Sequence, residues 1–207
     1  MNDLERYFHN NPGKLITKWD NYWAVYERHF SRFRGRAPRV LEIGVCHGGS
    51  LQMWKHYFGP EARIYGVDIH QRSKAFEEAQ IEIFIGDQED RAFLRDLRHS
   101  IPAPDIIIDD GGHTMLQQRN TFEELYPSLA PGGLYLCEDT HSSYWPRFGG
   151  GYRRPDSFIE YMKSHIAALG AGTPPAGVLP EFCRNAASVH CYDSIVVIEN
   201  HPQERAG

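Results

Sequence analysis

Along the chain, short apolar runs alternate with longer stretches in which apolar residues recur every three or four positions. The runs Arg39–Val45, Arg63–Ile69, Ile81–Ile85, Ile106–Asp109 and Leu134–Cys137 are bounded by Gly, Pro or polar residues, the pattern of buried parallel strands. Between and beside them the helical period predicts helices over Leu51–Phe58, Ser73–Ala79, Asp90–His99, Leu116–Leu129 and Asp156–Leu169. In the last of these Phe158, Ile159, Met162 and Ile166 are the expected inward positions. From Leu15 to Phe33 the residues Leu15, Ile16, Trp19, Tyr22, Trp23, Tyr26, Phe30 and Phe33 predict one amphipathic helix. Its aromatic face is expected to pack on the strand domain rather than to cover a site. Residues 1–14 are polar and end in the turn signal Asn11-Pro12-Gly13. Residues 142–155, with Ser-Ser-Tyr-Trp-Pro and three glycines, suit a mobile loop. Ala187–Tyr192 and Ile195–Glu199 flank a short polar link and predict an antiparallel hairpin.

Strands alternating with helices indicate a doubly wound α/β fold, with a seven-stranded, mostly parallel sheet closed by that C-terminal antiparallel hairpin. At 207 residues the chain suits a single domain, 1–207, in which 1–36 forms a helical N-terminal extension. The formal charge is 22 − 27 = −5, with no long basic run, which argues against nucleic acid or an anionic membrane as partner. No apolar stretch approaches the roughly 20 residues of a membrane span. The segment Met1–Asn11 lacks the basic and apolar regions of a signal peptide. Cys46, Cys137, Cys183 and Cys191 form no C-x-x-C pair, so reduced thiols and a cytoplasmic location are expected.

Two neighbouring predicted strands end in acid. Ile106-Ile107-Ile108 runs into Asp109-Asp110-Gly111-Gly112-His113, and Leu134-Tyr135-Leu136-Cys137 runs into Glu138-Asp139-Thr140-His141. Ligands of open α/β sheets bind outside the carboxyl ends of the strands, and carboxylates gathered there repel unless a cation lies among them. Asp110, Glu138 and Asp139 make an all-oxygen set suited to Mg²⁺, Mn²⁺ or Ca²⁺ rather than zinc. His113, three residues past Asp110, stands where a general base belongs. Taken singly, Asp110 reads equally as a helix cap and His113 as a solvated loop residue; the adjoining Glu138-Asp139 favours a site. His141, Tyr144 and Trp145 follow the acids and are candidates for the acceptor side, or for packing of the loop.

The first strand and its turn read Glu42-Ile43-Gly44-Val45-Cys46-His47-Gly48-Gly49, and Ser50 is a natural cap for the helix that follows. Glycines between a strand and a helix let the backbone approach a ligand closely. Asp68, at the end of the next strand, lies about 20 residues on, where a ribose diol is usually held. The dinucleotide pattern G-x-G-x-x-G fails because Cys46 holds its middle position, leaving Glu-x-Gly-x-x-x-Gly.

That motif, with Asp68 and with Asp87 at the end of the third strand, resembles the first motif of class I S-adenosylmethionine-dependent methyltransferases. The resemblance implies that Gly44 and Gly48 shape the floor under the methionine part with Glu42 near it, and that Asp68 holds the ribose. Asp87 and Gln88 would lie at the adenine, Ser50 would help through its hydroxyl or as a cap, and Asp109 would lie near the reactive end. Asp-Asp-Gly-Gly-His, Leu-Cys-Glu-Asp-Thr-His-Ser-Ser-Tyr-Trp and Ser50-Leu51-Gln52-Met53-Trp54-Lys55 resemble the metal-dependent sugar O-methyltransferases of macrolide biosynthesis. These are the mycinamicin and demethylmacrocin type, with cephalosporin hydroxylase-type relatives. The likeness runs from about Leu15 to the helix after the glycine loop. It implies Mg²⁺ on the matching carboxylates holding two adjacent sugar hydroxyls, and the matching histidine as base. Some relatives carry an extra N-terminal domain for which this chain has no room, so sugar identity and oligomeric state do not transfer. A glycoside or saccharide acceptor is therefore expected, and a homo-oligomer remains open. The rival readings are a catechol-type O-methyltransferase, which also uses a metal and vicinal oxygens, and a non-catalytic partner protein that binds cofactor and metal.

Overall fold

A computed structural model of the chain describes residues 1–171 and 173–201. The chain divides into two compact units, Met1–Asp87 and a second from Gln88 onward. The single-domain expectation over 1–207 extends past the described residues at its C-terminal end. None of the described helices is long and apolar enough to cross a membrane. The four cysteines are free thiols, Cys46 and Cys191 exposed and Cys137 and Cys183 buried.

In the first unit, three strands pair in parallel: β1 (Arg39–Ile43) with β2 (Arg63–Asp68), and β2 with β3 (Ile81–Ile85). Both β1 and β2 end slightly earlier than the apolar runs suggest. The expected Ser73–Ala79 helix is a 3-10 segment at Gln71–Phe76.

The N-terminal region departs most from expectation. Helix α1 (Asp3–Asn10) forms within the stretch read as polar and turn-like, fixed by a reciprocal cap in which Glu5 N–H donates to Asn2 and Asn2 N–H to Glu5. The single helix expected from Leu15 to Phe33 is instead α2 (Tyr22–Phe30) followed by a 3-10 turn at Ser31–Phe33. Residues 15–19 alternate exposed and buried, with Ile16 and Lys18 inward, so this segment follows a two-residue period rather than a helical one. Its backbone lies tightly on helix α3 (Gly49–Phe58), and a Cβ at Gly49 would stand 2.3 Å from the Leu15 carbonyl oxygen. The aromatic face of α2 does pack inward, with Tyr26 and Phe30 stacked at 5.5 Å and Tyr26 edge-on to Trp54 of α3 at 5.2 Å. The cap of α3 is Gly48, in the left-handed region at φ 74°, and not Ser50, which lies inside the helix. Glycine adopts that conformation without strain, so the serine hydroxyl is released for another partner.

In the second unit, β4 (Ile106–Asp109) pairs in parallel with β5 (Leu134–Cys137), in register Asp109 to Cys137. The strand β7 (Ile195–Asn200) runs antiparallel to β5 and forms the expected hairpin with β6 (Ala186–Tyr192). Helix α4 (Arg91–Ser100) is capped by the Asp90 carboxylate. Helix α5 (Met115–Leu125) has a Thr114–Gln117 capping box and gives way at Tyr126-Pro127 to a 3-10 turn, earlier than the expected Leu129. Proline cannot continue a helix without losing a hydrogen bond. The loop expected to be mobile holds 3-10 turns at Thr140–Tyr144 and Pro146–Phe148, tied by Gly150 N–H to Trp145 O and Gly151 N–H to Ser143 O. Helix α6 (Phe158–Ala167), capped by Ser157, buries Phe158 and Met162 but leaves Ile166 exposed. A short helix α7 (Pro180–Asn185), unexpected from the sequence, buries Phe182.

His165 is the inward polar residue of α6. Its Nδ1–H donates to Tyr161 O at 3.0 Å and its Nε2 accepts from Leu179 N–H at 3.0 Å, so the neutral ring satisfies both nitrogens. The ring stands edge-on to Phe122 and Phe182 at 5.4 and 5.1 Å, and burial holds its pKa below the usual 6.5. The unfolded chain therefore binds the proton more readily, and stability falls as pH drops below about 6.5. Urea midpoints at pH 7.5 and 5.5 are expected to differ less in His165→Phe than in the wild-type chain. An equal loss in both would remove His165 as a source of acid sensitivity.

Candidate functional site

The second unit gathers its chemistry where β4 and β5 end. Asp110, His113 and Asp139 each offer one ligand atom, all within 4.8 Å of one another. His113 Nε2 lies 3.4 Å from Asp139 Oδ2 and 3.9 Å from Asp110 Oδ1, and all three side chains are about a fifth to a quarter exposed. The two partly exposed carboxylates offer oxygen donors of the kind a hard divalent cation takes, with the imidazole beside them. Glu138 is fully buried and its side chain is not part of that group; its backbone oxygen accepts from Gln118 Nε2 at 3.1 Å. The field of the region is negative. The buried Cys137 thiol is pushed well up, first by burial and then by Asp109, Glu138, Asp139 and Asp110 together.

Two of the three converging residues have left-handed backbones, His113 at φ 59° and Asp139 at φ 52°. For a residue with a Cβ this conformation is uncommon and costs of order 1 kcal/mol, and such strain tends to collect at functional sites. The turn carrying Asp110 and His113 is held from beneath by Asp109. Its carboxylate is fully buried and accepts from Gln88 Nε2 at 2.6 Å and Tyr135 OH at 3.0 Å. Burial raises its pKa to about 7 against the pull of those two hydrogen bonds. Gln88 completes the link by accepting from Gly112 N–H through Oε1 at 3.0 Å. Asp109 and Gln88, expected near the cofactor, are thus bonded to each other and to the turn.

Aromatic residues stand beside the cluster. Phe148 meets the His113 ring edge-on at 6.4 Å, and Trp145 lies 6.1 Å from Phe148 and 4.5 Å from His141. Tyr144 is half exposed. Phe148 and Tyr135 went unremarked in the sequence. Tyr135 looks like any inward strand residue, and nothing in the spacing marks Phe148.

The first unit holds the glycine turn. Gly44, Cys46 and Gly48 all have positive φ, at 100°, 51° and 74°. A Cβ at Gly48 would meet the Phe76 ring at 2.8 Å, so the turn is both conformationally and sterically restricted. Asp68 clips it: Cys46 N–H donates to Oδ2 at 2.9 Å and His70 N–H to Oδ1 at 2.8 Å. Each oxygen retains a lone pair for a further donor. Glu42 is buried beneath, accepting from Ser50 Oγ at 2.8 Å and lying 3.5 Å from the buried Lys18 ammonium. Lys18 was hidden in the sequence by the helical reading of residues 15–33. Asp87 is exposed at the end of this unit.

The Gln88 link restricts position 111, since a Cβ there would lie 2.1 Å from Gln88 Oε1 and the bonded amide would have to shift. Gly111→Ala is expected to lower stability by about 1–3 kcal/mol in urea unfolding, the usual cost of overpacking. Adding Gln88→Ala removes the clash, so the double variant should be more stable than the sum of the two single losses predicts. Strict additivity would rule the clash out.

Residues 41–140 match the family described as a methyltransferase domain. The chain is 46% identical over 203 residues to the 8-demethyl-8-alpha-L-rhamnosyl tetracenomycin-C 2'-O-methyltransferase of Streptomyces olivaceus, covering 92% of this chain and 53% of that protein. It is 37% identical over 209 residues to the demethylmacrocin O-methyltransferase of Streptomyces fradiae, covering 93% of this chain and 52% of that one. Among solved structures, the MycE methyltransferase of the mycinamycin pathway, in complex with Mg, SAH and mycinamycin VI, superposes with a TM-score of 0.84 at 32% identity. That match covers 99% of this chain and 54% of the MycE chain. The chain thus spans about half the length of the curated relatives it matches. Its seven strands, mostly parallel and ending in an antiparallel hairpin, are those of the α/β methyltransferase fold. Residues 41–140 match a methyltransferase domain, within a chain that is similar to the sugar O-methyltransferases of macrolide and tetracenomycin pathways.

Proposed function

We propose that the chain transfers a methyl group from S-adenosylmethionine to a sugar hydroxyl of a small-molecule glycoside, with Mg²⁺ required. The observation that carries this reading is the convergence of Asp110, His113 and Asp139 at the ends of β4 and β5. The names of the relatives support a glycosylated acceptor, and the Mg and SAH of the MycE complex support the cofactor pair. Proposed cation donors are Asp110 and Asp139, joined by Glu138 when a bound cation draws its buried side chain toward the pair. S-adenosylmethionine supplies an already activated methyl carbon, and a bound divalent cation stabilises an alkoxide, as zinc does in lowering the pKa of bound water from 15.7 to about 7.

The remaining work falls to the chain's own residues. His113, with Nε2 turned to the carboxylates, takes the proton of the hydroxyl that is methylated. His141, Tyr144 and Trp145 border the acceptor. Glu42, Gly44, Gly48, Ser50, Asp68 and Asp87 contribute to cofactor binding from the first unit, with Asp68 on the ribose. Gln88 and Asp109 contribute from the second, through the turn they hold. Positioning of hydroxyl, methyl group and sulfur in line is then the main source of rate. We place the protein in the cytoplasm as one methyltransferase domain with residues 1–36 as its helical extension. Self-association is compatible with this reading.

Three measurements test it. Calorimetry is expected to detect S-adenosylhomocysteine binding that Asp68→Ala weakens strongly; equal affinity would remove the ribose assignment. Chelation should abolish methyl transfer and Mg²⁺ should restore it, with Asp139→Asn partly rescued by high Mg²⁺. His113→Ala should keep cofactor and Mg²⁺ affinity yet lose about 10²–10⁴-fold in turnover. Wild-type turnover in that variant would move the base elsewhere.

A further inference from the structure

One buried ammonium takes no part in the reaction described above. The Lys18 side chain is 2% exposed, and its Nζ lies 3.5 Å from Oε1 of Glu42, whose side chain is wholly buried. The other oxygen of Glu42 accepts from Ser50 Oγ at 2.8 Å, and the Lys18 ammonium also stands 5.9 Å from the Tyr26 ring. The extended segment that carries Lys18 lies on the first turn of α3, since a Cβ at Gly49 would meet the Lys14 and Leu15 carbonyl oxygens at 2.5 and 2.3 Å. An ammonium, a carboxylate and a hydroxyl thus gather where β1 ends and α3 begins, at the turn of Gly44 and Gly48. Stability does not explain the pair. Removing both ions from water costs more than their attraction reliably returns, and apolar side chains of that size usually serve a fold as well.

We propose that Lys18 holds the α-carboxylate in the methionine part of S-adenosylmethionine. The inference rests on the cofactor reading above, in which Gly44 and Gly48 lie under that part. The methionine end carries one ammonium and one carboxylate, and Lys18 with Glu42 is likewise a pair of opposite charges. A zwitterion docking there brings no net charge into a poorly solvated place, whereas a lone carboxylate or amine would. The carboxylate belongs on the Lys18 side, because the amide N–H groups that begin α3 favour negative charge at the same point. Glu42 keeps the buried ammonium charged before the cofactor arrives. Lys14 is the neighbouring alternative, with its Nζ 4.8 Å from the Phe76 ring that packs against Gly48. It is more exposed than Lys18, so water competes for its charge.

The test is calorimetry on the full chain with two probes, S-adenosylhomocysteine and S-adenosyl-3-thiopropylamine, the same molecule with hydrogen in place of the carboxylate. The wild-type chain should bind the first about 10-fold to 100-fold more tightly, the range of a hydrogen bond between charged groups. Lys18→Met should bring the two affinities together by weakening S-adenosylhomocysteine alone, and Lys14→Met should leave the preference as it is. Lys18→Met strands a buried carboxylate. The double variant Lys18→Met, Glu42→Gln removes both charges, and it decides the matter if circular dichroism shows the single variant unfolded. In it the two probes should again bind alike. Equal binding of both probes by the wild-type chain, or a preference that survives in the double variant, overturns the assignment while leaving the cofactor reading intact. Equal weakening of both probes in Lys18→Met reduces Lys18 to a support of the turn and overturns the assignment too. A preference lost in Lys14→Met and kept in Lys18→Met moves the carboxylate to Lys14, with the same effect. No binding of S-adenosylhomocysteine by the wild-type chain overturns the cofactor reading and the inference with it.

Discussion

The buried Asp109 carboxylate is the constraint on which the site in the second unit depends. It closes β4, and both of its oxygens are bonded, one by Gln88 and the other by Tyr135 of the neighbouring strand. Gln88 then takes the Gly112 N–H, so a single side chain ties the strand end to the turn beyond it. An unpaired carboxylate at this depth would be far more expensive than the two neutral hydrogen bonds are favourable. The network is therefore stable only when complete, and completing it fixes where Asp110 and His113 begin. Gly111 and Gly112 follow from the same requirement, because the Gln88 and Gln117 amides occupy the space that a Cβ would need.

The strands and the acids at their ends were legible because burial leaves little choice. A parallel strand covered on both faces must be an apolar run, and its end is marked by the first residue that cannot be buried cheaply. That logic located β3, β4 and β5 to the residue and brought Asp110, His113 and Asp139 to one edge. It also exposed the limit, since Glu138 shares the strand end but not the cluster. Asp139 turns into the left-handed region directly after the strand, so the two consecutive acids are not presented as equivalent ligands.

The N-terminal half was less legible for a related reason. Between Leu15 and Trp19 apolar residues occur at spacings compatible with a helix, but Lys18 is turned inward to Glu42, and a lysine is not read as a core residue. Burying that ammonium requires its partner, and the partner lies beneath the glycine turn. The pairing selects an extended segment, and the extended segment in turn demands a glycine at position 49. Helix α1 was missed because it is short and fully buries only Leu4, while its start is set by a reciprocal cap. Tertiary contact overrode local period in one case and local hydrogen bonding replaced it in the other.

Stability alone does not account for the β4–β5 edge. Two residues there, His113 and Asp139, take left-handed conformations that glycine or asparagine would adopt with less strain. The same two bring an imidazole and a carboxylate to within 3.4 Å, beside a second carboxylate. Like charges gathered in a partly buried place oppose folding, and the Cys137 thiol, pushed up first by its burial, is pushed further by these carboxylates. Strain and repulsion therefore coincide at one point, on a framework that Asp109, Gln88 and Tyr135 make rigid. A cation at the proposed site would relieve the repulsion directly, and the bonded turn would hold Asp110 and His113 in place without it. The edge is thus built to hold charge in readiness, at a cost met by the buried network beneath it.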